Sequence, residues 1–227
     1  MTELGKFRVV AARDLARFAY ASDEAHMERD VRRLKEQRLV SDRTLAISGR
    51  KTLRVLTLSR TGKRIVRGTA RLPEEQRIYH GIVKPREAEH DAELYRLFQA
   101  ETARIEDAGG KPLRVLLDYE LKRNLNRDRA SLGEQNTNPH EIERLAERHG
   151  LAVVNGKIPL PDMRIEYQTA ELELRRVDLE LATRHYRPRG VAEKAKAGFS
   201  LYSRPEDVSR LRRILDEQEL TTRILAL

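Results

Sequence analysis

The spacing of the apolar residues changes from about four to two between residues 24 and 58, and this change limits the folds open to the chain. In Glu24–Glu36, the residues Met27, Val31 and Leu34 recur at helical spacing, so one face of a helix can be buried. Thr52–Leu58 alternates in the manner of a β-strand. The sequence therefore predicts a helix that leads into a strand.

Short flanking segments extend this pattern on both sides. Residues 10–18 predict an earlier helix, and Ser22 or Asp23 is placed to cap the helix that follows. Residues 44–47 are β-prone and predict the first strand of a hairpin, whereas residues 59–66 predict a short closing helix. The predicted order is helix, helix, strand, strand and helix.

Basic residues are concentrated in this part of the chain. Residues 1–72 contain 18 Lys and Arg against 8 Asp and Glu, while residues 73–227 contain 27 against 28. A basic segment joined to a nearly neutral one is typical of a protein in which one part binds a polyanion. We therefore interpret the chain as two domains with different functions.

Five side chains in the basic segment are candidates for binding DNA. Three lie on the face of Glu24–Glu36 opposite its apolar residues, and two lie at the predicted hairpin tip. An exposed arginine on such a helix can pair with guanine, and a basic hairpin tip can contact phosphate. The candidate DNA-binding residues are His26, Arg29, Arg33, Arg50 and Lys51.

Two stretches of this segment resemble bacterial winged-helix regulators. These are residues 32–40, in which a basic helix ends at Leu-Val, and residues 56–63, in which a strand leads into Thr-Gly-Lys. The resemblance implies a winged helix-turn-helix domain over residues 1–72 that binds double-stranded DNA. A winged helix that binds protein or only dimerises is the alternative left open.

The remainder of the chain predicts a linker and a second domain. Residues 73–86 contain two prolines and little apolar periodicity, so we interpret them as a linker. The second domain then covers residues 87–227, beginning with a helix over residues 87–107 and a buried strand over residues 113–119. Residues 128–139 predict an exposed loop.

Carboxylates and lysines in the second domain form a candidate catalytic and metal-binding site. One acidic residue opens a predicted strand, two more lie two positions apart on the next strand, and a predicted helix over residues 191–202 carries two lysines. Such carboxylates can share Mg²⁺, and a lysine can stabilise charge on a phosphate. The candidate catalytic residues are Asp162, Asp178, Glu180, Lys194 and Lys196, of which the three acidic residues are the candidate metal ligands.

The alternative for the acidic pair is structural. Asp178 and Glu180 can belong to a solvated face of the sheet, or they can pair across strands with Arg164, Arg175 or Arg176.

The pattern Pro161-Asp162 followed by Asp178-Leu179-Glu180 resembles the PD-(D/E)XK nuclease superfamily. With the basic helix and the preceding winged helix, the layout resembles the replication-relaxation family of proteins of plasmids and integrative elements. The resemblance implies an α/β (α+β) fold class, in which a restriction-endonuclease-like domain with a mixed central sheet follows the winged helix. The chain departs from the nuclease motif, which has lysine two residues after the acidic residue of the third strand. Position 180 is Glu, and Leu181, Ala182 and Thr183 follow it. Lys194 or Lys196 would then supply the ammonium group.

Two functions follow from the resemblance. The first is a DNA-binding protein of a plasmid or mobile element that acts in replication or transfer, with Mg²⁺-dependent endonuclease activity in the second domain. The second is a winged-helix transcription regulator whose nuclease-like domain is inactive and serves dimerisation or partner binding. The expected partners are double-stranded DNA, a second copy in a homodimer, and replication or mobilisation proteins.

The composition predicts a cytoplasmic protein that does not contact a membrane. The chain has no cysteine, which excludes disulfides and thiolate metal sites. No stretch approaches the ~18 apolar residues that span a bilayer. Mg²⁺ is the only cofactor that the sequence suggests.

Overall fold

The protein divides into two compact units, Met1–Ala108 and Gly109–Leu227, hereafter unit 1 and unit 2. Both units contain helices and strands, and unit 2 has a mixed sheet, as the α/β prediction requires. No described helix is long and apolar enough to cross a membrane. The computed structural model describes residues 1–47, 51–69, 72–73, 75–82, 87–131, 138–183, 186–222 and 224–226.

Unit 1 consists of a small antiparallel sheet and the helices that cover it. The strands lie in the order β1-β3-β2, so that β3, the last of the three in sequence, is central. Two helices, α2 and α3, connect the first strand to the second. The elements are α1 (Thr2–Lys6), β1 (Val10–Ala11), α2 (Ala12–Ala19), α3 (Glu24–Glu36), β2 (Val40–Ala46), β3 (Thr52–Leu58), α4 (Arg60–Thr69) and α5 (Ala88–Asp107).

Helix α3 has the predicted bounds, and its first turn explains why. The carboxylate of Asp23 accepts a hydrogen bond of 2.8 Å from the backbone N–H of His26, which satisfies a free donor of the helix end. Met27 and Val31 are buried, as the apolar spacing predicts. The other face of α3 is consequently left outside the core.

Strand β2 is longer than the predicted β-prone run over residues 44–47. It pairs with β3 from Val40↔Leu58 to Ala46↔Thr52, and the paired backbone continues through polar residues. Polar side chains on an exposed strand give no apolar alternation, so the sequence pattern could not mark its start. The N-terminal helix α1 was also not predicted.

Helix α5 belongs to unit 1, so the domain boundary lies after Ala108 and not at the predicted residue 87. Ala88 and Ala92 pack in one cluster with residues of β1 and β3. The ring of Tyr95 lies 5.2 Å from that of Phe7, and Arg96 forms two hydrogen bonds with the buried carboxylate of Asp14. The apolar periodicity of α5 was predicted correctly, but periodicity does not identify the surface that it covers.

The predicted linker also differs from the structure in its described part. Ile78 and Gln76 are buried, and the backbone N–H of Tyr79 donates to the carbonyl of Gly5 at 2.7 Å. Residues 75–82 therefore pack against the rest of unit 1. Residues 83–86 lie outside the described part of the chain.

Unit 2 is built on a five-stranded mixed sheet in the order β4-β5-β6-β7-β8. The pairs β4/β5 and β5/β6 are antiparallel, whereas β6/β7 and β7/β8 are parallel. Parallel neighbours require crossover connections, which α8 and α9 provide. The elements are β4 (Lys111–Leu117), α6 (Asp118–Ser131), α7 (Pro139–Arg148), β5 (Met163–Gln168), β6 (Leu174–Leu181), α8 (Pro188–Lys196), β7 (Ser200–Ser203), α9 (Pro205–Glu217) and β8 (Ile224–Ala226).

Three predicted segments of unit 2 are corrected by the structure. The predicted strand over residues 113–119 corresponds to β4, but it ends at Leu117, and Asp118 and Tyr119 begin α6. The predicted loop over residues 128–139 begins inside α6 and ends inside α7, and its residues 132–137 lie outside the described part. The predicted helix over residues 191–202 ends at Lys196, because Gly198 adopts a positive φ of 83° that stops a helix. Leu201 and Tyr202 then enter the sheet as β7.

Candidate functional site

The basic face of α3 is exposed to solvent. The side chains of Arg29 and Arg33 are exposed, and neither forms a side-chain hydrogen bond or ion pair with any described residue. They lie four residues apart, one turn of helix, so their guanidinium groups share one side of α3. Unpaired, exposed guanidinium groups on a helix are available to an anionic ligand.

His26, the third predicted residue of this face, is partly engaged within unit 1. Its ring packs edge-on against Tyr20 with centroids 5.2 Å apart, and its Nε2 lies 3.6 Å from a carboxylate oxygen of Asp30. The hydroxyl of Tyr20 also donates to Asp30 at 3.2 Å. Of the three predicted residues, the two arginines are therefore the more available.

A network of charges holds α3 against the hairpin. Arg54 of β3 pairs with Glu28 of α3 and donates to Asp42 of β2 at 2.9 and 3.0 Å. Lys35 of α3 donates to the same Asp42 at 3.0 Å. Hydrogen bonds from Arg54 lower the pKa of both carboxyl groups and raise that of the guanidinium. The network fixes the side of α3 that faces the sheet and so the side that remains exposed.

The predicted hairpin tip is described only in part. Lys51, at the start of β3, is exposed. Arg50 lies outside the described residues, together with Ser48 and Gly49.

The face of the unit 2 sheet that carries the acidic pair is buried at Glu180 and half-buried at Asp178. Asp178 and Glu180 share this face, as their spacing predicts, but Glu180 is 0% exposed. Helices α8 and α9 form a core with strand β7 and with Ala182, which directly follows β6, and Leu211 and Leu201 are both buried in it. The solvated-face alternative is therefore wrong for Glu180.

Asp178 forms a bidentate ion pair with Arg164, its direct cross-strand neighbour. The two nitrogen–oxygen distances are 2.6 and 2.8 Å, and Arg164 is only 4% exposed. The same guanidinium donates to the carbonyls of His149 and Gly150 at 2.6 and 3.0 Å, at the end of α7. Arg164 was one of the cross-strand partners that the sequence left open, and it occupies both oxygens of Asp178.

Three residues meet around the carboxylate of Glu180 and form with it what we call the Glu180 cluster: Asp162, Glu180, Tyr186 and Lys194. The ammonium of Lys194 lies 2.9 Å from each carboxylate oxygen of Glu180, and it also donates to the carbonyl of Leu160. The hydroxyl of Tyr186 donates to Oε1 of Glu180. The backbone N–H of Asp162 donates to Oε2 at 3.2 Å, while its carboxylate accepts from the N–H of Leu181 at 2.8 Å.

Three of the five predicted catalytic residues are thus brought together, and two are not. Asp162, Glu180 and Lys194 belong to the cluster, whereas Asp178 is held by Arg164. Lys196 is exposed and lines a separate surface depression with Asn155 and Gln218. Within the described part of the chain, no group of three or more His, Asp or Glu residues is arranged to hold a metal ion.

Burial dominates the electrostatics of the Glu180 cluster. Removal of the carboxyl group from water, reinforced by the negative charge of Asp162, raises the pKa of Glu180 from 4.5 to about 7, although Lys194 opposes the shift. Burial and the nearby carboxylates likewise raise the pKa of Tyr186 well above its usual value. Glu180 can consequently exchange a proton near neutral pH.

This shift predicts that Glu180 destabilises the folded protein as the pH rises. Between pH 4.5 and about 7 the folded chain retains a proton that the unfolded chain releases, so the free energy of unfolding falls with rising pH. We expect Glu180→Gln to remove this component, so that the variant gains stability relative to wild type from pH 4.5 to pH 8. Urea unfolding at several pH values measures the difference.

The matched control for this prediction is Glu217→Gln on the exposed surface of α9. Its stability difference from wild type should not follow the same pH course. A Glu180→Gln profile parallel to that of wild type would contradict the raised pKa.

Comparison of the chain with protein-family models, with curated proteins and with solved structures gave no match. The functional argument therefore depends on the geometry of the two units.

Sequence reasoning missed Tyr186 and the network around Arg54. Tyr186 lies between a strand and a helix, where no periodicity points to a partner. Arg54 alternates with apolar residues on β3, which predicts an outward side chain but not its acidic neighbours. The available signal was the charge complementarity of Glu28, Asp42 and Arg54. These charges can be matched only when the pairing register of the strands is known.

Proposed function

We propose that unit 1 binds double-stranded DNA through a winged helix-turn-helix, with α3 as the recognition helix. The observation that carries this proposal is the pair of exposed arginines, Arg29 and Arg33, which have no partner among the described residues and lie on a helix whose other face is fixed by the core. The order of helices and the three-stranded sheet support it, since a helix held against a hairpin suits the major groove. Lys51 beside the hairpin tip adds a phosphate contact.

Charge balance supports the same proposal. Residues 1–72 have 18 basic and 8 acidic side chains, and several of the acidic ones are engaged with cations of the unit, as Glu28 and Asp42 are. Neutralisation of DNA phosphates by the remaining cations releases counterions and makes binding depend on salt. On the resemblance to replication-relaxation proteins, the process served is replication or transfer of a mobile element.

A binding titration of the full chain tests the proposal. A fluorescent 30-base-pair duplex and the corresponding single strand are titrated with protein at 50 to 300 mM salt, and anisotropy is measured. We expect tighter binding to the duplex, and an affinity that falls steeply as salt increases. Absence of duplex binding at 50 mM salt would refute the proposal.

A second candidate function is metal-dependent DNA cleavage by unit 2. It is favoured by the convergence of Asp162, Glu180 and Lys194, the residue types of a PD-(D/E)XK site, with the lysine supplied by α8. Their chemistry fits a hard cation: Asp162 and Glu180 would hold Mg²⁺, which supplies Lewis-acid stabilisation of a phosphate when bound. Lys194 holds positive charge beside them. Within unit 2 as it stands, the same residues satisfy one another, so a metal would compete with Lys194 and Tyr186 for Glu180.

Nicking of a supercoiled plasmid tests this second function. With Mg²⁺ or Mn²⁺, we expect Lys194→Met to lower the nicking rate about 100-fold, because it removes a cation beside the reacting phosphate. Lys196→Met is the matched control on the same helix and should leave the rate unchanged. If wild-type protein shows no metal-dependent nicking, the alternative of an inactive nuclease-like domain is favoured.

A further inference from the structure

One side of α4 carries four cations, three of them exposed and one half-buried, and no acidic residue. The function proposed for unit 1 does not use this feature. The cations recur at steps of three and four residues, so all four lie on one side of the helix. Gly62 and Val66 are buried on the opposite side. The four cations, called the α4 stripe, are Arg60, Lys63, Arg64 and Arg67.

The stripe is not neutralised within the described part of unit 1. None of its four side chains forms a hydrogen bond or ion pair with a described residue. Partial burial, together with the positive charges of Arg67 and Arg77, lowers the pKa of Lys63. An anionic ligand beside Lys63 would favour its charged form.

The stripe begins next to the end of α3. The backbone N–H of Ser59 donates to the carbonyl of Leu39 at 2.9 Å, and a Cβ at Gly62 would lie 2.1 Å from that same oxygen. The first turn of α4 therefore lies directly against the turn that follows α3, with no room for a side chain at position 62. That turn carries the exposed Arg38. Exposed cations thus continue from the end of α3 onto α4.

We infer that the α4 stripe is a second DNA-binding surface, which contacts phosphates of the same duplex that α3 enters. This inference rests on the proposed function of unit 1 and extends its footprint. Arg60 and Arg67 are seven residues apart, so the four cations span roughly 10 Å of helix, the axial rise of about three base pairs. Because α4 has no acidic residue, it suits a polyanion. A neutral or basic protein surface would find no carboxylate on α4 to pair with.

The salt dependence of duplex binding tests the inference with the full chain. The slope of log K against log salt falls by about 0.9 for each lost phosphate contact, so the triple variant Arg60→Gln, Arg64→Gln and Arg67→Gln should have a slope shallower by about 2 to 3. Its affinity at 150 mM salt should fall at least about tenfold. The control variant, with the same loss of charge, is Arg129→Gln, Arg212→Gln and Arg213→Gln, which are exposed positions of unit 2.

The outcomes separate the inference from the proposed function. If wild type ignores the duplex at 50 mM salt, both are refuted. If wild type binds and the α4 variant has the slope of the control variant, the second surface is refuted and the α3 interface remains. In that case, a loss of the α4 variant's affinity for double-stranded RNA or phosphatidylserine vesicles would not rescue the second DNA-binding surface. If circular dichroism shows the triple variant unfolded, the three single variants replace it, and each should lower the slope by about one.

Discussion

The double variant Arg29→Gln and Arg33→Gln is expected to bind duplex DNA about 100-fold more weakly than wild type. Each guanidinium is exposed and has no partner among the described residues, so its substitution should remove a contact with base or phosphate. A single good contact contributes about 1–3 kcal/mol, and two such losses correspond to about two orders of magnitude in Kd. The salt slope should fall by about 2.

A matched control separates contact from net charge. Arg212→Gln with Arg213→Gln removes the same charge from exposed positions of α9. Screening leaves surface charges that do not contact the DNA little influence at physiological salt, so the control should bind within about twofold of wild type. Fluorescence anisotropy measures both variants, and thermal unfolding checks that neither is destabilised. Equal losses in the two variants would contradict a specific role for α3.

Arg164→Met is expected to destabilise unit 2 by about 3–5 kcal/mol, the range for breaking a buried ion pair. The substitution removes two hydrogen bonds to Asp178 and leaves the carbonyls of His149 and Gly150 without their donor. A carboxylate left buried and unpaired is the main cost. Urea unfolding measures the effect.

Two further variants establish the origin of that loss. Arg175→Met removes an arginine whose ion pair with Glu173 is exposed on both sides, so its cost should be small beside that of Arg164→Met. Arg164→Met combined with Asp178→Leu removes both charges and should recover part of the stability. A small effect of Arg164→Met alone would show that the pair is unimportant, and Asp178 would again be available as a metal ligand.

Local signals allowed α3 and its cap to be predicted. Asp23, the apolar spacing of Met27 and Val31, and the exposed arginines are all encoded within a few turns of helix. The alternation of Thr52–Leu58 is equally local. For α3 and β3, whose signals lie within a few neighbouring residues, the predicted bounds agree with the structure.

Burial and partnership could not be predicted in the same way. Glu180 is buried because the crossover helices α8 and α9 cover its face of the sheet, and strand alternation does not show which face is covered. The choice of Arg164 over Arg175 and Arg176 as the partner of Asp178 depends on the register of β5 and β6. Similarly, the apolar face of α5 was evident, but its partners in unit 1 lie about eighty residues earlier.

Photo-cross-linking from α3 tests the central claim most directly. A photoreactive phenylalanine analogue is placed at Ala25, which is exposed one turn before Arg29 and contributes no charge of its own. The duplex is held at saturating concentration in low salt, and Ser209 on the exposed surface of α9 is the control position. We predict DNA adducts from position 25 and none above background from position 209. Saturated binding without adducts at position 25, or with equal yields at both positions, would contradict the assignment of α3 to the groove.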